Sequence, residues 1–258
     1  MKHFKLNLPS FIVVLGALMV LAGCSGSAPV VDKKPDTPVD VDKSSTEKTT
    51  EAKSTEPTEE PPKVVDLPND LKHDAFDYYG IGLSEPIDME VTSNTQTAVV
   101  TGSQTTTLKE IKDGKAVFLV ERTGGLSTLG TNELTLEKDG IYVKSSSIAK
   151  VGERELEMPA GLQPGKTWST TTELSSDSRS MKVKSTFVVK AIEKVTTKKA
   201  TYDNALLIVS TGKGTQDGSN VSITTKSWFV RGRGNVKAVI VRTPGTGKPE
   251  TLTIQETK

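Results

Sequence analysis

The chain has 258 residues, and its 33 basic and 32 acidic side chains almost cancel, which argues against a nucleic-acid partner. One cysteine and two histidines are too few for a disulfide framework, a CxxC redox motif or a histidine-rich zinc site, and they leave almost no way to build a Ser-His or Cys-His catalytic pair. We therefore expect a protein that is not an enzyme and that has no metal and no cofactor.

Residues 1–23 have the pattern of an exported leader. Lys2 and Lys5 give the leader a positively charged N-terminal region, and an apolar run follows up to Gly23. The run is interrupted by Pro9 and falls at or below the ~20 residues that a helix needs to cross a bilayer. The pattern therefore favours a signal peptide over a permanent transmembrane helix.

The leader ends in Leu21-Ala22-Gly23-Cys24, which resembles the lipobox of bacterial lipoproteins. The resemblance implies that the Cys24 thiol carries a diacylglycerol, that cleavage makes Cys24 the mature N-terminus, and that its new amine is acylated, with palmitate for example. Without the leader the chain has 31 basic and 32 acidic residues, a net charge of −1. We expect a lipid-anchored protein of the cell envelope, exposed outside the cytoplasm on an outer membrane or a cell surface.

Residues 24–65 consist of the lipidated Cys24 and a linker of Pro, Thr, Ser, Lys, Asp and Glu without an aromatic residue. Such a segment buries too little apolar surface to offset the entropy of ordering, so we predict a disordered tether. Fully extended at ~3.3 Å per residue, some forty residues reach on the order of 130 Å. The tether acts either as a passive spacer or as a segment that threads peptidoglycan or recruits a partner.

Residues 66–258 form the predicted folded domain, long enough to bury a core. The segment 66–80 predicts one short helix with Leu71, Ala75 and Phe76 on one stripe and Gly80 as its end.

The rest of the domain is predicted to be strand. Asp113-Gly114 and Asp139-Gly140 are typical of hairpin turns, and the alternation over Met181–Ala191 predicts one buried and one wet face. The runs Ala205–Val209 and Val236–Val241 are apolar on both faces and should lie centrally or beneath a cover. The fold class is all-β, with a single curved, mostly antiparallel sheet and one short N-terminal helix.

Three segments, at 162–168, 195–206 and 228–237, contain "PGKTW", "YDNAL" and "WFVRGRGNVK" in that order. They resemble motifs of bacterial envelope lipoproteins with domains of uncharacterised function, over about residues 85–245. The resemblance implies a curved sheet similar to the half-barrel of the Lol lipoprotein carriers.

Two groups of charged residues are candidate sites. Glu153, Glu155 and Glu157 alternate along the chain and should line one solvated strand face, the alternative being paired carboxylates for glycoside hydrolysis or calcium. The second group is a local basic cluster, which either protects a sheet edge or contacts an anion or a partner. Its members are Arg231, Arg233, Lys237 and Arg242.

The leading functional hypothesis is a membrane-anchored, non-catalytic β domain that binds an apolar ligand, such as a lipid, or an envelope protein. The alternative is a structural or assembly scaffold of the envelope with no ligand. The concave face of the sheet discriminates between them, because an open apolar cavity favours ligand carriage. A face filled by aromatic side chains favours a scaffold, and the candidates are Trp168, Trp228, Phe118 and Phe187.

Overall fold

The computed structural model describes residues 67–82, 85–151, 154–176 and 179–257, together with residues 11, 12, 20 and 21. The last four form a short antiparallel pair of strands, β1 (Phe11–Ile12) and β2 (Val20–Leu21). Cys24 and the linker at 24–65 lie outside the described residues, so lipidation and disorder stay predictions. None of the described helices is both long enough and apolar enough to cross a membrane.

A single sheet of twelve strands makes up the folded part, and each neighbouring pair is antiparallel. The strands are β3 (Ile87–Ser93), β4 (Val100–Lys112), β5 (Lys115–Arg122), β6 (Asn132–Glu137), β7 (Gly140–Ser146), β8 (Glu155–Pro159), β9 (Thr167–Ser176), β10 (Arg179–Thr196), β11 (Thr201–Gln216), β12 (Ser219–Val230), β13 (Gly234–Pro244) and β14 (Glu250–Glu256). Strands that follow each other in the chain are neighbours in the sheet, except that β3 pairs with β14 and that β8 and β9 are its two ends.

The two ends of the sheet approach each other, which makes it nearly closed and barrel-like. The Trp168 indole N–H on β9 donates a hydrogen bond to the Glu157 carbonyl on β8, at 3.1 Å. An isolated antiparallel bridge also joins Lys150 to Glu173. The predicted all-β class and single curved antiparallel sheet are confirmed, and the sheet curls further than a half-barrel.

Two-residue turns set the register of the hairpins. Asp113 and Gly114 have φ values of 52° and 69°, as a type I′ turn between β4 and β5 requires. The β6–β7 hairpin is also present, but Glu137 pairs with Gly140, so its turn residues are Lys138 and Asp139 rather than Asp139-Gly140.

The segment predicted as one helix is divided into two. A 3-10 helix (Asn69–Leu71) precedes α1 (Asp74–Tyr79), because the His73 ring nitrogen Nδ1 accepts a hydrogen bond from the Phe76 amide and starts a new helix. Gly80 ends α1 with φ of 70°, as predicted. A second 3-10 helix (Gly124–Leu129), which the sequence did not predict, lies between β5 and β6.

The core consists of two main clusters of buried side chains on the inner face of the sheet. One cluster contains the buried side chains of α1 together with Trp168 and its neighbours. The other contains Leu126 and Leu129 of the second 3-10 helix. In α1 the buried residues are Ala75 and Tyr78, which continue from Leu71 of the 3-10 helix, whereas the predicted Phe76 is only half-buried because Tyr78 occupies the inward position.

The long strands show the alternation that the sequence predicts. Met181, Val183, Phe187 and Val189 of β10 are buried, and the lysines between them face solvent. In Ala205–Val209 the adjacent residues Ala205 and Leu206 are both fully buried and belong to different clusters, so this strand is covered on both faces at its start. Further along it, and in Val236–Val241, buried and half-buried residues alternate.

Candidate functional site

The inner face of the sheet is the first candidate site, and aromatic side chains fill it. Trp168 on β9 and Phe187 on β10 are directly opposite each other, and their rings stack with centroids 5.1 Å apart and planes 8° apart. Phe118 on β5 is fully buried in the same cluster. Trp228 is not part of this cluster: it is half-buried, and its indole N–H donates to the Glu193 carboxylate at 2.8 Å. Three of the four predicted aromatic residues therefore fill the concave face.

Helix α1 completes this filling and is fixed by polar contacts at its N-terminus. The Asp74 carboxylate accepts hydrogen bonds from the amides of Gly161 and Leu162 in the β8–β9 connection. The His73 Nε2 atom lies 2.9 Å from the Glu137 carbonyl and donates to it, since Nδ1 is the acceptor for Phe76. The helix packs against β7 on one side and against β12 and β13 on the other. It therefore spans the space between distant parts of the sheet.

A small cavity remains where the two core clusters meet. Its volume is about 50 Å³, which is room for a few water molecules and is well below the ~300–1,000 Å³ of a typical ligand pocket. Its lining combines apolar and polar side chains. The apolar ones are Met89, Leu126, Leu129, Phe229, Ala238 and Ile254, and the polar ones are Tyr79, Gln104, Arg122, Glu157 and Asn235.

Glu157 is the unexpected member of this lining, because the sequence predicted a solvated face. In the β7–β8 ladder, Ile141 pairs with Met158 and Tyr142 with Leu156, so Glu157 is the extra residue of a β-bulge. The bulge interrupts the inside-outside alternation of β8 and lets Glu157 line the cavity. The prediction of a solvated face is therefore wrong for Glu157, and Glu153 lies outside the described residues.

The environment of the Glu157 carboxyl favours its neutral form. Its Oε1 atom accepts a hydrogen bond from the Tyr79 hydroxyl at 3.2 Å, whereas the covered Oε2 atom has no hydrogen-bond partner among the described residues. Burial is the main cause that raises the pKa of Glu157 to about 8, and the charge of Glu155 adds to it. Burial likewise raises the pKa of the Tyr79 hydroxyl well above its usual range.

The positive charge of Arg122 favours the ionised form of Glu157. It therefore partly offsets the effect of burial on the Glu157 pKa. Its guanidinium is itself held by protein groups: Nε donates to the Gln104 side-chain oxygen and Nη1 to the Gly130 carbonyl, both at 2.9 Å. Burial lowers the pKa of Arg122. This cluster offers one covered carboxyl rather than a facing pair of carboxylates, so it has the form of a polar inclusion in a core. Within the described ranges no three His, Cys, Asp or Glu side chains are placed to share a metal ion.

The four predicted basic residues do not form one patch. Arg231 and Arg233 lie in the β12–β13 connection, whereas Arg242 lies near the far end of β13, roughly 30 Å along the strand at ~3.3 Å per residue. Arg231 pairs with Asp77 at 2.9 Å and its guanidinium lies 4.4 Å from the centre of the Tyr78 ring. The Lys237 ammonium donates to the Thr196 carbonyl at 3.0 Å.

Arg233 and Arg242 have partners that are themselves buried or nearly so. The Arg233 guanidinium is paired with Glu256, which is fully buried and also accepts a hydrogen bond from the Tyr202 hydroxyl at 2.7 Å. Arg242 binds the Glu250 carboxylate at 2.8 Å and the Gln216 side-chain oxygen. These contacts give both arginines a structural role, and contact with an anion or a partner stays a prediction for the cluster.

No protein-family model and no curated protein matches the chain. Among solved structures, the chain is similar to the hypothetical lipoprotein YmcC from Escherichia coli K12, with 14% sequence identity and a TM-score of 0.30. The similarity covers 72% of this chain and 90% of that one.

Proposed function

We propose that the protein is a membrane-anchored lipoprotein of the cell envelope whose β domain is a non-catalytic scaffold for an envelope partner. Cys24 provides the lipid anchor and residues 24–65 provide the tether. The domain contacts its partner through its outer surface, and the inner face of its sheet serves as a core.

The observation that supports this function is the filled concave face. The Trp168–Phe187 stack, Phe118 and helix α1 occupy the space that a lipid carrier keeps open for its ligand. The remaining cavity of about 50 Å³ is too small for an acyl chain and contains a carboxyl group. An apolar ligand would have to displace close-packed aromatic side chains, and burying Trp or Phe against apolar neighbours contributes several kcal/mol (~3–5) to folding. Of the two hypotheses, the scaffold is therefore the better supported.

Trp168 provides a direct test, because it lies in the middle of the filled region. In a chain that starts at residue 24 and has Cys24→Ser and Trp228→Phe, Trp168 is the only tryptophan. Titration with palmitate, followed by tryptophan emission, should give no saturable change. A saturable shift in emission at stoichiometric palmitate would show that the interior admits an acyl chain and would overturn the proposal. Trp168→Phe with Trp228 retained is the matched control for binding elsewhere.

A further inference from the structure

The outer face of the longest strands has an arrangement of cations that the fold does not explain. Lys184 on β10 and Lys213 on β11 are directly opposite each other in the antiparallel register, and both are exposed. Lys226 on β12 is opposite Val209 and points to the same face. Among the described residues, no carboxylate lies within ion-pair distance of any of these three lysines.

Hydroxyl groups surround these lysines in a regular row across four strands. The cross-strand pairs place Ser169, Thr186, Thr211 and Thr224 side by side on the outer face. Two adjoining shallow grooves, with volumes of about 560 and 690 Å³, run along this surface and share Lys213 and Ser222. We call this surface the lysine-hydroxyl face. None of its lining residues in the described part of the chain is Asp or Glu, and the charged ones are lysines.

The position of Lys184 and Lys213 argues against a purely structural role. Like charges that face each other across two strands destabilise a sheet, and lysines protect a sheet from aggregation only at its edges. Strands β10 and β11 are each paired on both sides, so they have no free edge. Other lysines of the sheet have carboxylate partners, for example Lys109 with Glu133, Lys115 with Glu137 and Lys182 with Glu173.

We infer that the lysine-hydroxyl face binds a linear, phosphate-bearing polymer; this inference names a partner class for the scaffold function proposed above and rests on it. Ammonium groups attract phosphates and the flanking hydroxyls donate hydrogen bonds to phosphate oxygens. The elongated groove suits an extended chain. A membrane surface fits less well, because the exposed large apolar residues among those described, Val99, Ile111 and Ile192, do not line the groove.

The experiment measures binding of fluorescently labelled linear inorganic polyphosphate to the chain from residue 24 with Cys24→Ser, by anisotropy at low salt. Lys184→Gln/Lys213→Gln should weaken binding about tenfold, because two phosphate contacts are lost. Lys112→Gln/Lys138→Gln removes the same charge from exposed positions elsewhere and should leave the affinity within about twofold of the parent value. Affinity of the parent chain should fall as salt is added.

Three results would overturn the inference: no binding by the parent chain, equal losses in the two double variants, or binding to phosphatidylglycerol–phosphatidylcholine vesicles without binding to polyphosphate. The last result would assign the face to a lipid surface. Circular dichroism of each variant separates lost binding from lost fold. The palmitate titration of Trp168 is independent of these lysines, so failure of this inference and failure of the scaffold proposal are distinguishable.

Discussion

Glu157→Gln is predicted to remove a pH dependence of stability that originates in the interior cavity. The Glu157 carboxyl has a pKa of about 8 in the folded chain, against a reference value of 4.5. Below pH 4.5 the group is protonated in both the folded and unfolded states and contributes no penalty. Between pH 4.5 and about 8 the unfolded chain releases the proton and the folded chain keeps it, so the free energy of unfolding falls as the pH rises.

The magnitude follows from the size of the shift. One pH unit corresponds to about 1.4 kcal/mol, so a pKa raised from 4.5 to about 8 amounts to ~5 kcal/mol as an upper value. The effects of Glu155, Tyr79 and Arg122 are already included in this shift, of which burial is the main cause. Glutamine keeps the shape and the Tyr79 contact without the ionisation. The glutamine variant should therefore be the more stable chain at pH 8.5, and the difference should shrink towards pH 5.

Urea unfolding of the chain from residue 24 with Cys24→Ser, repeated between pH 5 and pH 9, measures this difference. Glu90, Glu133, Asp139 and Glu173 have lowered pKa values, so their stabilisation is lost only as the medium becomes more acidic, and it cancels in the comparison of the two chains. Glu121→Gln changes an exposed carboxyl on β5 and is the matched control. Parallel pH profiles for the parent and Glu157→Gln chains would refute the assignment of Glu157 to the interior.

Four further predictions concern the core, the helix end, a buried ion pair and the anchor. Phe187→Ala should lower the free energy of unfolding by ~3–5 kcal/mol in urea titrations, because it removes one ring of the buried stack. Gly80→Ala should lower the melting temperature, because its φ is 70° and a Cβ would lie 2.6 Å from the backbone of Arg233, and an unchanged value would contradict this geometry. Arg233→Ala should lower the free energy of unfolding by ~3–5 kcal/mol, since the buried Glu256 then keeps only the Lys199 ammonium, 3.5 Å away, whereas Arg231→Ala should cost under ~1 kcal/mol. Cys24→Ser should move the protein from the membrane fraction to the soluble fraction on cell fractionation, and unchanged membrane association would contradict lipidation.

The local patterns of the sequence predicted the fold class well. Residue alternation on β10 determines which side chains face inward, and the Asp113-Gly114 turn determines a hairpin. Both depend only on residues that are close together in the chain. A third Asp-Gly pair, Asp217-Gly218, has φ values of 49° and 77° and forms a two-residue turn, although it was not among the predicted turns. The pairing of β14 with β3 had no local signal, because it joins strands from opposite ends of the domain.

The interior site could not be predicted for a different physical reason. A β-bulge at Glu157 changes which face a side chain occupies, and it depends on the partner strand rather than on the residues beside it. The lysine-hydroxyl face is a similar case. The alternation of residues on β10 predicts its solvent-exposed face, but the position of Lys213 opposite Lys184 follows only from the register in which β11 pairs with β10. The predicted basic cluster included Arg233, because only sequence spacing was available. Its buried partner Glu256 is distant in the chain, so the pairing could not be predicted from the neighbouring residues.

Native mass spectrometry of the protein purified in mild detergent from its own cell envelope tests the central claim most directly. If the interior is a packed core, the mass should equal the chain from Cys24 plus its covalent acyl groups, with partner molecules bound only at the surface and released by salt. A stoichiometric, non-covalently bound lipid that survives high salt and is lost only on unfolding would contradict the account.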